Sequence, residues 1–257
     1  MYKDKSDPYA YVIVFQGLVG VITGVYSLFN GFEMPDLSRY WFPILVTILL
    51  YAAAHIVSTG AFQLVEASVF SVLFATSAIW TMVAGLFLFS DGLTATQLIG
   101  VILIFVSVSI LVERKSKWRL DKGITLGLLT GFLFGVATAG WVYVGRNADI
   151  PSWTALSFIG PALVVLIAKP KSVLKMKHFT SGILLTRMLL LGIIFSIASL
   201  TSLLAYRDGN VSLVATLQQT GIIVTTILGI IFLNERTNLL RKALSAAICF
   251  VAVLLIV

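Results

Sequence analysis

From residue 9 onward the chain is a succession of long apolar runs separated by short polar connectors. A helix that crosses a bilayer needs about 20 mainly apolar residues to span roughly 30 Å of hydrocarbon. Nine runs approach that length: 9–29, 41–61, 64–89, 95–112, 124–145, 151–168, 182–205, 211–233 and 239–257. Each is continuously apolar, without the period-two alternation of a barrel strand. The expected fold is therefore all-α, a polytopic membrane bundle of about nine transmembrane helices. The connectors carry the expected breakers: Asn30-Gly31 and Pro35, Asp91-Gly92, Pro151, Pro170, and Asp208-Gly209-Asn210.

Composition agrees. Charged residues are 11% of the 257 positions, where a soluble domain carries roughly 25%. The net charge of +7 calls for no nucleic-acid partner, because cytoplasmic loops of membrane proteins are rich in Lys and Arg. Cys249 is the one cysteine, so an internal disulfide is excluded. His55 and His178 lie far apart and suggest no metal centre. The opening "MYKDKSDPYA" lacks the apolar core and cleavage site of a secretory signal.

Alternate connectors differ sharply in basic charge. One side collects fourteen Lys and Arg: two in the N-terminal segment, five over 113–123, four over 169–181 and three over 234–242. The other side has three, Arg39, Arg146 and Arg207. The positive-inside rule then puts the N-terminus in the cytoplasm and Val257 outside, in a multi-pass cell-membrane protein.

The sequence also repeats itself. At an offset of 144, "GLFLFSDGLT" (85–94) aligns without a gap on "GIIFLNERTN" (229–238). The same offset equates Ser68 with Ser212, Leu73 with Leu217, Thr76 with Thr220, Thr81 with Thr225, Ile104 with Ile248, and Asp91 with Glu235. It corresponds to five helices, an odd number, so the second copy is expected upside down in the membrane, as in many transporters. Residues 1–115 read as the first repeat and 116–257 as the second. The helix at 124–145 has no counterpart, so the expected plan is five plus five helices lacking the first.

At these residues the chain resembles a known family. "FLNERTNLLRKALSAAICFVAVLLIV" (232–257) looks like the closing hairpin of EamA-like proteins of the drug/metabolite transporter (DMT) superfamily. Glu235 and Arg236 match the Gly-Glu-Arg turn of that hairpin, with Asn234 for the glycine. "FLFSDGLTATQLIGVILIFVSVSIL" (87–111) is similar to the hairpin of the first half, with Asp91 for the acid and Gly92 for the arginine. The resemblance implies a transporter of small metabolites working by alternating access between two inverted repeats. Asp91, Glu235 and Arg236 are expected to fix polar turns rather than touch a solute.

Several polar residues inside the spans are candidates for a substrate cavity. Glu66 is the one carboxylate within a span, a default functional hypothesis. It is either a proton carrier or an acid favoured by the helix N-terminus. Arg187 could fork onto an anionic solute or snorkel to the surface. Gln218 and Gln219, roughly 11 Å into their helix, need a partner helix or a substrate. His55 and Gln16 are of the same kind. Trp141 and Tyr143 would stand in an aromatic belt or stack on a solute. Gly123, Gly127, Gly131, Gly135 and Ala139 recur every four residues, a face suited to close helix packing.

The leading expectation is a secondary transporter of a small organic solute, with proton coupling an option tied to Glu66. The alternative is a non-transporting or partner-dependent scaffold lacking its first helix. An enzyme is disfavoured: paired acids, a His–Cys set and a phosphate-cradling glycine loop are all missing, and neither cofactor nor metal is expected. The partners are the bilayer and the solute; oligomeric state is left open.

Overall fold

The computed structural model describes residues 7–89, 94–111, 121–209, 214, 218, 221–232 and 238–256. Every regular element among them is helical. In chain order they are α1 (Pro8–Phe29), α2 (Leu37–Phe62), α3 (Ala67–Phe74), α4 (Thr76–Phe89), α5 (Ala95–Leu111), α6 (Lys122–Gly145) and α7 (Ile150–Ala168). A 3-10 helix (Pro170–His178), α8 (Gly182–Asp208), α9 (Gly221–Phe232) and α10 (Leu239–Ile256) complete them. Each expected apolar run contains a described helix. Among the described residues, six stretches are long and apolar enough to cross a bilayer: α1, α2, Ala67–Gly85, α6, α7 and α8.

The helix starts follow local chemistry. Asp7 caps α1 by accepting hydrogen bonds from the Tyr9 and Ala10 amides, and Asp149 caps α7 through the Ser152 amide. Both helices carry a proline in the first turn, where its missing N–H costs nothing. The run at 64–89 is a single span in the sequence reading, and in the structure Ala67–Gly85 is one stretch long enough to cross a bilayer. α3 passes into α4 at Ala75, whose backbone stays right-handed helical. The Thr76 hydroxyl donates to the Leu73 carbonyl at 2.7 Å.

The chain forms two compact units, residues 1–56 with 137–209, and 57–136 with 210–257. Each unit thus draws segments from both sequence halves.

In the first unit α1 lies against α7. Gly20 faces Ile159, Gly24 faces Ala155 and the Ser27 and Ser152 hydroxyls hydrogen-bond at 2.7 Å. Rising numbers on α1 meet falling numbers on α7, so the two run antiparallel. A Cβ on Gly20 would come within 2.9 Å of the Ile159 backbone nitrogen, so glycine sets how closely these helices meet. The offset of 144 equates residues 8–29 with 152–173, so α1 packs on its own repeat counterpart.

The second unit is built the same way. α5 packs on α10, its counterpart at that offset, with Ile104, Val108, Cys249, Ala252 and Val253 buried together. Ser245, in the second turn of α10, donates to the Ser107 carbonyl near the end of α5 at 2.6 Å. The end of one helix therefore meets the start of the other. Against α3 and α4 lies the glycine face of α6. A Cβ on Gly127 would sit 2.6 Å from Leu73 Cδ1, and one on Gly135 2.5 Å from the Ser77 carbonyl oxygen. The Thr81 hydroxyl donates to the Gly135 carbonyl at 3.1 Å across this approach. The four-residue spacing is thus a packing face over Gly123–Gly135.

Gly135→Ala must push apart two backbones and should cost about 1–3 kcal/mol, seen as a Tm lowered by several degrees in detergent. Gly17→Ala, with nothing within 4 Å of an added Cβ, should be neutral or stabilising by up to about 1 kcal/mol. Equal effects at the two sites would contradict the close-packing role.

Candidate functional site

In the first unit, aromatic and polar side chains of α1, α2, α6 and α8 come together. α2 supplies Tyr51 and His55, one helical turn apart on one face. The Tyr51 hydroxyl lies 3.3 Å from the Thr138 hydroxyl on α6. The His55 ring stands 6.3 Å from the Tyr51 ring and 6.2 Å from Phe15 on α1. One turn beyond Thr138, Trp141 meets Tyr206 of α8 edge-on at 6.4 Å.

Trp141 is 7% exposed, so it is buried in the unit rather than standing in a lipid-facing belt. Its indole N–H donates to the Ser157 hydroxyl at 3.1 Å, and its carbonyl accepts from the Trp153 indole at 2.9 Å. A buried indole needs such a partner, which explains why the ring turns inward. Tyr143 is half-buried and packs edge-on against Tyr40 at 5.8 Å. Arg187 is exposed on α8, next to the buried Met188, and takes no part in the aromatic cluster.

Gln16 and Thr154 are the buried residues of this unit with unmatched polar side-chain atoms among the described residues. Gln16 is 1% exposed, and neither its amide nitrogen nor its amide oxygen has a hydrogen-bond partner among the described residues. It shares a face of α1 with Val12 and Ile13, which pack against Ala52 and Val165. A buried polar group left unmatched costs roughly 1–3 kcal/mol.

In the second unit Glu66 is the N-cap residue of α3, in extended conformation and without a side-chain cap bond. It pairs instead with Lys242 from the first turn of α10. The Lys242 side chain is 5% exposed and that of Glu66 30%. The pair gathers the starts of α3 and α10 at one end of the unit, where Gly123 also meets Leu64 and Val65. Sequence reading set Lys242 in a surface turn; the partners lie 176 residues apart, and only a run of basic residues entering an apolar helix hinted at burial. Gln218 is helical and exposed. Gln219, Asp91, Glu235 and Arg236 lie outside the described residues. Among the described residues no group of three or more His, Cys, Asp and Glu is disposed to hold a metal.

Removing one member of the ion pair strands a charge. Lys242→Met should destabilise by about 1–3 kcal/mol, less than a fully buried pair would lose, because Glu66 is partly exposed. Glu66→Gln combined with Lys242→Met should recover most of that loss in thermal unfolding. A double variant as unstable as the sum of the singles would show that the pair does not couple.

The model of the EamA-like transporter family matches residues 2–113. A solved structure described only as the crystal structure of a protein has a TM-score of 0.73, covering 99% of this chain and 90% of its own at 14% identity. At that identity the likeness concerns the fold alone. No curated protein matches in sequence.

Proposed function

We propose that this multi-pass membrane protein, whose residues 2–113 match the model of the EamA-like transporter family of the DMT superfamily, is a secondary transporter of a small organic solute. The family match is the observation that carries this reading. Alternating access would use the two sequence repeats, 1–115 and 116–257, as mirror-related halves. The antiparallel packing of α1 on α7, and of α5 on α10, supports that inversion, because each pair consists of repeat counterparts. The N-terminus lies in the cytoplasm in this reading, and the membrane is the cell membrane.

The chemistry of the first unit suggests how a solute would be held. Phe15, Tyr51, His55, Trp141 and Tyr206 offer ring faces and edges, with hydroxyl and imidazole groups between them. Such a set of groups suits an organic molecule with an apolar or ring-bearing body and a few polar groups. Gln16 adds a donor and an acceptor side by side, the complement of a carboxamide or carboxylic-acid edge. Glu66 would couple transport to protons if its protonation released Lys242.

Purified protein in liposomes should move at least one labelled solute from a panel of amino acids, sugars, nucleotide conjugates and amines; protein-free liposomes should not. Gln16→Met should raise the Tm by removing an unmatched amide and lower uptake at least tenfold. A stabilised variant with full uptake would take Gln16 out of the solute path. Glu66→Gln should abolish the response to a pH gradient while downhill flux continues; an unchanged response would remove Glu66 from coupling.

A further inference from the structure

The 3-10 helix joining α7 to α8 is nine residues long, where such helices seldom exceed three or four. It connects two membrane-spanning helices, so it lies at one membrane surface. One side of it is tied down. Ser172 is buried, its hydroxyl 3.5 Å from the Asp7 carboxylate, and Lys175 pairs with the same carboxylate at 2.8 Å. Burial works to raise the Asp7 pKa, but the Lys175 ammonium and the Ala10 and Tyr9 amides outweigh it and hold the carboxyl below its usual range. The acid therefore stays ionised and the tie persists at neutral pH. Just past the helix, Phe179 is buried against α1, edge-on to Tyr11 at 5.8 Å.

The other side is free of the protein and chemically divided. With three residues per turn, Lys171, Leu174 and Lys177 line up along one edge. All three are exposed, and Leu174 is 84% exposed. Val173, Ile167 and Ile183 add exposed apolar surface nearby on the connector and the adjoining helix ends. Water would be a poor neighbour for Leu174, and hydrocarbon a poor one for the two ammonium groups. A membrane interface satisfies both, with the leucine at the acyl boundary and the lysine stems reaching back to the phosphates.

We propose that the Lys171–Leu174–Lys177 edge of this 3-10 helix is a binding surface for anionic phospholipid headgroups, anchoring the α1–α7–α8 end of the first unit in the interface. Lys175 is engaged with Asp7, so Lys171 and Lys177 are the cations this edge offers to the headgroups. Charge complementarity selects anionic over zwitterionic lipid, because each lysine near a membrane surface favours the anionic lipid by roughly fivefold. The interaction does not depend on what the protein carries.

The test places a fluorophore on the edge itself. Leu174→Cys, in a Cys249→Ala background, is labelled with nitrobenzoxadiazole and reconstituted into phosphatidylcholine vesicles. A minor fraction of the lipid is phosphatidylglycerol or phosphatidylcholine spin-labelled near the headgroup. The spin-labelled phosphatidylglycerol should quench several-fold more strongly. The difference should shrink with added salt and vanish in Lys171→Gln/Lys177→Gln. Inorganic phosphate should do no more than chloride at equal ionic strength. Equal quenching by the two lipids, quenching by neither, a preference surviving the double substitution, or specific competition by phosphate would each overturn the proposal.

Discussion

Helix backbones that meet through glycine are the contact on which both units depend. In hydrocarbon the backbone must satisfy its own hydrogen bonds, so the spans are helices. Once there, those helices have little hydrophobic drive to associate, and close van der Waals contact takes over. Gly20 lets α1 approach the α7 backbone, and Gly123 to Gly135 do the same for α6 against α3 and α4. Leu64, Val65 and Leu73 fill the space that side chains on α6 would have taken. Polar groups then add links across the contacts, as Thr81 to Gly135 and Ser27 to Ser152 show.

Helix pairing within each unit joins distant parts of the chain. α1 lies antiparallel on α7, and α5 on α10, each helix facing its counterpart at the offset of 144. Each compact unit therefore combines a piece of both sequence halves. The repeat boundaries follow the order of the chain, whereas the units follow which helices touch. These two divisions are not the same, and the second cannot be read from the first.

Much of the fold was legible because its causes are local. Hydropathy sets the spans, and the every-fourth-residue glycines announce the close face of α6. What escaped depends on distant partners. Trp141 reads as either a belt residue or a ring open to a solute until Ser157 and Tyr206 are brought against it. Lys242 reads as loop charge until Glu66 meets it. Gln16 was visible as a polar residue in a span, but its lack of a partner is a property of the packed unit.

The account turns on the two halves being inverted relative to each other in the membrane. Thr94 and Asn238 are equivalent at the offset of 144, are both exposed, and stand just ahead of α5 and α10. Thr94→Cys and Asn238→Cys, each in a Cys249→Ala background, can be labelled with a membrane-impermeant maleimide in sealed vesicles of one orientation. Labelling at one position without permeabilisation, and at the other only after it, is the outcome expected of inverted repeats. Labelling of both from the same side would contradict the inversion and, with it, the alternating-access reading.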